Sequence, residues 1–108
     1  MALKNWTITD ISATTVTDLV DCGSGNACAI VGIVITNYNV APAPASVNLT
    51  VTNSGDTTTA RILDVMLIAA GDSYFIDTKI FVESTEKIRA YSTVNNVSFL
   101  ASGDESTA

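Results

Sequence analysis

Hydrophobic positions along this chain alternate with polar ones over short spans, and one run breaks that rule by being apolar throughout. Ala27-Cys28-Ala29-Ile30-Val31-Gly32-Ile33-Val34-Ile35, closed by Thr36 and Asn37, is rich in β-branched residues and predicts the organising strand of the fold. A simple period of two puts Ala29, Val31, Ile33 and Ile35 on one face and Ile30, Gly32 and Val34 on the other. Both faces are then apolar, and each needs a cover. Gly32, inside the strand, predicts a close approach by another backbone or ring, so Gly32→Val is expected to disturb packing more than Val34→Ala.

Shorter strands are predicted around it. Lys4 to Thr9 and Thr14 to Val20 alternate in part, ahead of a glycine-supplied turn from Asp21 to Asn26. Tyr38 to Ser46 contains Pro42 and Pro44, which cannot donate ladder hydrogen bonds and predict an extended loop or contact arm. Val47, Leu49 and Val51 alternate with Asn48, Thr50 and Thr52, the cleanest half-buried strand in the chain. Asn53-Ser54-Gly55-Asp56 then predicts a hairpin turn into Thr57 to Leu63. The dense run Val65 to Ala70 reads as a strand end and turn, because Gly71-Asp72 follows it.

Ser73 to Ile76 and Lys79 to Glu83 follow as short strands, with Ile80 and Val82 on one face and Phe81 on the other. In Lys87 to Tyr91, Ile88 and Ala90 point inward, and Val97, Phe99 and Ala101 close the core. About eight short strands without an amphipathic helix predict an all-β protein, an antiparallel β-sandwich of Greek-key or jelly-roll type. Residues 1–101 are expected to form the single domain, and 102–108 a flexible acidic tail.

Composition narrows the function classes. At 108 residues the chain can bury a core without crosslinks or metals. Only 15% of residues are charged while 47% are hydrophobic, which predicts a surface that assembles with other subunits. A net charge of -6 and five scattered cations, Lys4, Arg61, Lys79, Lys87 and Arg89, argue against nucleic acid as a partner. The polar opening from Met1 to Thr7 has no signal-peptide core, so a cytosolic start is expected. The organising run is also far short of the ~20 apolar residues that span a bilayer, so no membrane partner is expected.

Candidate chemistry is sparse. Histidine is absent, which removes the commonest general base and metal ligand, and no enzyme, cofactor or metal site is expected. The carboxylates are dispersed, mostly at turns, with no calcium-loop pattern. Cys22 and Cys28 lie outside zinc-ligand spacing. They can face each other across the mouth of a turn as a disulfide; packed reduced thiols suit a chain folding without an export signal slightly better. The aromatic residues are too dispersed for a stacking platform, with Phe99 and one of Tyr74 and Phe75 expected in the core. Phe81, with Tyr38 beside the loop holding Pro42 and Pro44, is the candidate subunit contact.

Three local patterns carry a resemblance. The long strand ends in Asn37, an apolar segment ends in Gly71-Asp72 before the next strand, and the last strand closes on Ser102-Gly103-Asp104-Glu105. With Val47 to Gly55, Lys79 to Glu83 and Glu86 to Ser92, the chain from about Thr14 to Glu105 resembles small β-sandwich virion proteins of tailed bacteriophages. It departs from them at Ser84-Thr85-Glu86, where a second Gly-Asp turn is usual. The resemblance implies a non-enzymatic, self-associating subunit, above all a capsid decoration or cement protein. Such a subunit forms a homo-oligomer such as a trimer, contacts major capsid or other virion proteins, and is assembled into the virion in the host cytoplasm. A neck or tail-fibre subunit is the close alternative. From another class, a carbohydrate- or receptor-binding module would use Tyr38 and the proline loop.

Overall fold

A computed structural model describes residues 2–22, 25–39 and 43–107. The strands are β1 (Ala2–Ile8), β2 (Thr17–Asp21), β3 (Asn26–Asn37), β4 (Ala45–Thr52), β5 (Thr58–Ile68), β6 (Ser73–Ile76), β7 (Ile80–Val82), β8 (Lys87–Ser92) and β9 (Val97–Thr107). They form two antiparallel sheets, one ordered β1-β9-β3-β6 with β7 also on β3, the other ordered β2-β8-β4-β5.

The wiring is that of a jelly roll. Counting β6 and β7 as one interrupted strand, the pairs β1 with β9, β2 with β8, β3 with β6 and β7, and β4 with β5 are the rungs of one long nested hairpin. Rolling that hairpin up adds the contacts β9 to β3 and β8 to β4, and both are present. The all-β sandwich expected from the alternation is therefore the observed fold. Phe99, Ile30, Ile33, Ile35, Leu49, Ile88 and Val97 fill the space between the sheets.

The organising strand is the long inner strand of its sheet, but its faces are not those of a simple alternation. Cys28 and Ile30 point into the core, and so do Ile33, Ile35 and Asn37. The phase changes at Val31, where the register with β9 slips between Ile30 and Gly32. A β-bulge inserts one residue into the ladder and reverses the sides of everything beyond it. Val31 is thrown outward, and Ile30 belongs to the core face.

The bulge also moves the tight glycine. A Cβ on Gly32 would meet only the Ile76 carbonyl oxygen, at 3.6 Å, an ordinary contact. On Gly103, opposite Ile30, a Cβ would run into the Ala29 carbonyl oxygen, with Ala29 C and Ile30 Cα each at 2.9 Å. The close approach expected at Gly32 is made at Gly103.

Three further expectations are corrected. Residues 102–107 are not a flexible tail but the second half of β9, held between β1 and β3. Glu105 joins all three strands there, accepting from Lys4 Nζ at 2.9 Å and from Asn26 Nδ2 at 2.7 Å. Thr57 to Leu63 and Val65 to Ala70 are not separate, because β5 runs through a bulge at Val65, whose φ is 57°. The first two strands are also shifted: β1 begins at Ala2, and β2 begins only at Thr17, leaving Val16 exposed before it.

Candidate functional site

The outer faces of the two sheets differ in kind. On the four-stranded sheet, Lys87 and Arg89 of β8 and Asp18 of β2 point outward and pair with one another, and Asp21 is exposed opposite Lys87. Asp18 lies 3.5 Å from Lys87 Nζ and 2.9 Å from Arg89 Nε, while Arg89 Nη2 reaches Asp56 at 3.0 Å. Asn48, Thr50 and Tyr91 complete this polar surface.

On the five-stranded sheet the outward positions include contiguous apolar rows, bordered by polar residues such as Thr36, Ser73, Asn5 and Ser102. The register sets Leu100, Val34 and Phe75 side by side across β9, β3 and β6, and sets Ala29 beside Phe81 across β3 and β7. Phe75 is 69% exposed, Phe81 65% and Leu3, on β1, 89%. The bulge residue Val31 lies between these rows and is also exposed. Two shallow grooves cross the face, one lined by Val34, Phe75 and Leu100, the other by Leu3, Val31 and Asp104.

Phe81 thus lies on this face, opposite Ile80 and Val82. Of the two neighbouring aromatics, Tyr74 packs against the core and Phe75 is on the surface. Tyr38 sits elsewhere, at the end of the sandwich just past β3. Its hydroxyl donates to the Thr9 carbonyl at 3.1 Å, and its backbone N–H donates to Asn96 O at 2.9 Å. Burial of part of the ring, then the nearby Asp10 carboxylate, push the Tyr38 phenol above its ordinary value. Pro44 is exposed at the same end, while Pro42 lies outside the described residues. The three described candidate contacts therefore do not form one patch: Phe81 belongs to the sheet face, Tyr38 and Pro44 to the end.

Leu3, Val31, Phe75 and Leu100 are members of the face that the sequence reading missed. A usable signal existed for Leu3 and Leu100, since each is apolar in the polar phase of its strand, between Ala2 and Lys4 and between Phe99 and Ala101.

Two of the patterns behind the resemblance meet at the Tyr38 end. Asn37 is fully buried, its side chain donating to the carbonyls of Ile68 at 3.0 Å and Ala43 at 3.1 Å. Its backbone N–H donates to Asp72 O, and its carbonyl accepts from Gly71 N at 2.7 Å. Gly71 has a φ of 84°, a conformation glycine adopts without steric penalty. Cys22 and Cys28 are joined, with 6.1 Å between their Cα atoms. Their link ties the end of β2 to β3 and so bridges the two sheets.

No family model matches the sequence, and no curated protein does. A solved structure does share the fold. A chain in the crystal structure of the T13 infectious bursal disease virus particle aligns with a TM-score of 0.51 over 93% of this chain and 31% of that one, at 9% identity. A chain of the Gx strain of the same virus aligns with a TM-score of 0.49 over 94% of this chain and 33% of that one, at 10% identity. This chain spans about a third of the length of the chains it matches. At such identity the likeness is one of fold.

Proposed function

We propose that the chain is a non-enzymatic virion structural subunit that assembles through the outer face of its five-stranded sheet, against a second copy of itself. The observation that carries this is the difference between the two faces: Leu3, Val31, Phe75, Phe81 and Leu100 are exposed on one, while the other has ion pairs across β2 and β8 and exposes Val16, Val65 and Leu67. An apolar patch of that extent on a free monomer is unusual and marks a contact surface. Among the described strand residues of this face only Asp104 and, in the same groove, Lys4 are charged, and they are of opposite sign, so two copies meet with little like-charge repulsion. A Cα envelope of 43 by 27 Å in its two long dimensions accommodates the roughly 800 Å² per partner of a standard interface.

The virion setting is supported by the resemblance to tailed-phage proteins and by a fold shared with a chain of a virus particle. Within it, a capsid decoration subunit is the finer reading we favour, contributing surface contacts to the shell. The test is light scattering on the full chain and on Phe75→Ser/Phe81→Ser. The native chain should be oligomeric and the folded double variant monomeric; a monomeric native chain refutes self-association through this face. Purified particles that contain the major shell protein and lack this chain refute the virion setting.

A further inference from the structure

We propose that the opposite face, on the four-stranded sheet, carries a binding groove for a neutral saccharide, built on Asn48, Thr50, Arg89 and Tyr91. The groove is lined by these residues together with Thr52 and Asp56. Its floor is set by the sheet register, which opposes Asn48 to Tyr91 and Thr50 to Arg89 on β4 and β8. Four side chains of complementary chemistry therefore stand in a two-by-two array on rigid strands. The space, about 280 Å³, lies near the lower end of small-molecule pockets and suits one sugar ring.

Charge decides the ligand class. Arg89 is clamped by Asp18 and Asp56, and Asp18 also meets Lys87, so two carboxylates and two cations leave the group with no net charge. Two further charges stand on the same face, Arg61 opposite Thr50 and Asp21 opposite Lys87, one of each sign, so the face as a whole favours neither an anion nor a cation. What remains is a fixed planar guanidinium with further N–H donors, among neutral hydroxyls. That set matches vicinal sugar hydroxyls, which both donate and accept. The half-buried Tyr91 ring beside Asn48 offers the apolar surface against which the C–H face of a sugar stacks.

Two groups in the groove are prepared for a partner that the chain itself does not provide. Asn48 Oδ1 accepts from the Val65 N–H at 2.7 Å, which fixes the amide and leaves Nδ2 to donate elsewhere. Val65 holds a φ of 57°, a costly conformation for a β-branched residue, and such strain concentrates where structure serves a site. Thr52, only 3% exposed, has a hydroxyl without a hydrogen-bond partner. A buried hydroxyl left unsatisfied is unfavourable, and rotation of the Thr52 side chain toward a ligand hydroxyl in the groove would relieve that.

The test is a two-dimensional amide NMR titration of the full chain with methyl glycosides of glucose, galactose, mannose and N-acetylglucosamine, with cellobiose and lactose, and with sulfate. Binding should move the amides of Asn48, Thr50, Arg89 and Tyr91, for at least one sugar and not for sulfate. Tyr91→Ala should weaken it about tenfold. Asn48→Asp retains the acceptor for Val65 and should weaken binding while the Val65 amide stays protected from exchange. No shifts with any sugar, shifts with sulfate instead, or sugar binding indifferent to both substitutions would each overturn the proposal. Self-association is read separately by light scattering and does not depend on the result.

Discussion

Gly103 is the position where one methyl group should do most damage. It lies in β9 opposite Ile30, beside the Val31 bulge that presses β3 toward it. An added Cβ meets the Ala29 carbonyl group and Ile30 Cα, all backbone atoms of an inner strand, so no side-chain rotation can make room. Overpacking of this kind costs about 1–3 kcal/mol, and separating the strands weakens ladder hydrogen bonds worth about 1 kcal/mol each. Gly103→Ala is therefore expected to destabilise by about 3 kcal/mol or more. Gly32→Ala is the control one pleat away, with its nearest contact at 3.6 Å. Replacing a strand glycine by alanine also gains roughly 0.5–1 kcal/mol, so this variant should be neutral or slightly stabilised. Urea unfolding followed through Trp6 suits the comparison, because this lone tryptophan is buried on β1 against β9. In thermal melts Gly103→Ala should fall by about 12 °C or more, at roughly 4 °C per kcal/mol. Two variants within about 0.5 kcal/mol of each other would refute the assignment of close packing to the bulge.

Two further outcomes follow from the termini of β2 and β3. Reducing Cys22–Cys28 should lower stability by about 2 kcal/mol, as expected for so short a loop, and leave the chain folded; melts with and without dithiothreitol check this, and unfolding at room temperature on reduction would contradict it. Tyr38 should ionise above the ordinary 10.0, and Asp10→Asn should lower its midpoint, both read by alkaline absorbance titration against a Tyr38→Phe blank. Since the folded value is the raised one, Tyr38 supports the fold fully below pH 10 and ceases to do so as pH climbs through that value. A Tyr38 midpoint at or below 10 would contradict the burial and charge argument.

Strand period was legible wherever polar and apolar residues truly alternate. Val47 to Thr52, Ile88 with Ala90, and Val97, Phe99 and Ala101 all face as their pattern predicts. Cys28 to Ile35 defeats the same reading because every residue is apolar or glycine, so the pattern carries no phase and a bulge leaves no trace. In β5 the bulge at Val65 looked like a gap between two strands, since Asp64 interrupts an apolar run. Ser102 to Thr107 has weak strand propensity, yet β1 and β3 pair with it on both sides and tertiary context overrides composition. Phe81 was legible as a surface residue because Ile80 and Val82 fix the phase around it. Phe75 was not, because Tyr74 beside it could equally have taken the core position.

The three patterns that make the chain look like tailed-phage proteins turn out to be fasteners. Asn37 binds directly to Gly71 and Asp72 across two loops, and the third holds both the tight Gly103 and the three-strand contact of Glu105. Patterns of this kind report how a sandwich closes, and they say little about what it touches. The chemistry lies on the two outer faces, where side chains are not constrained by closure. There the sequence has placed most of its exposed apolar bulk on one side, at Leu3, Val31, Phe75, Phe81 and Leu100, and its paired charges on the other, where Val16, Val65 and Leu67 are also exposed. A sandwich about 19 Å through its thinnest dimension then presents two unlike surfaces back to back. Burying the apolar one in an assembly leaves the polar groove facing outward, so assembly and ligand binding need not compete for the same residues.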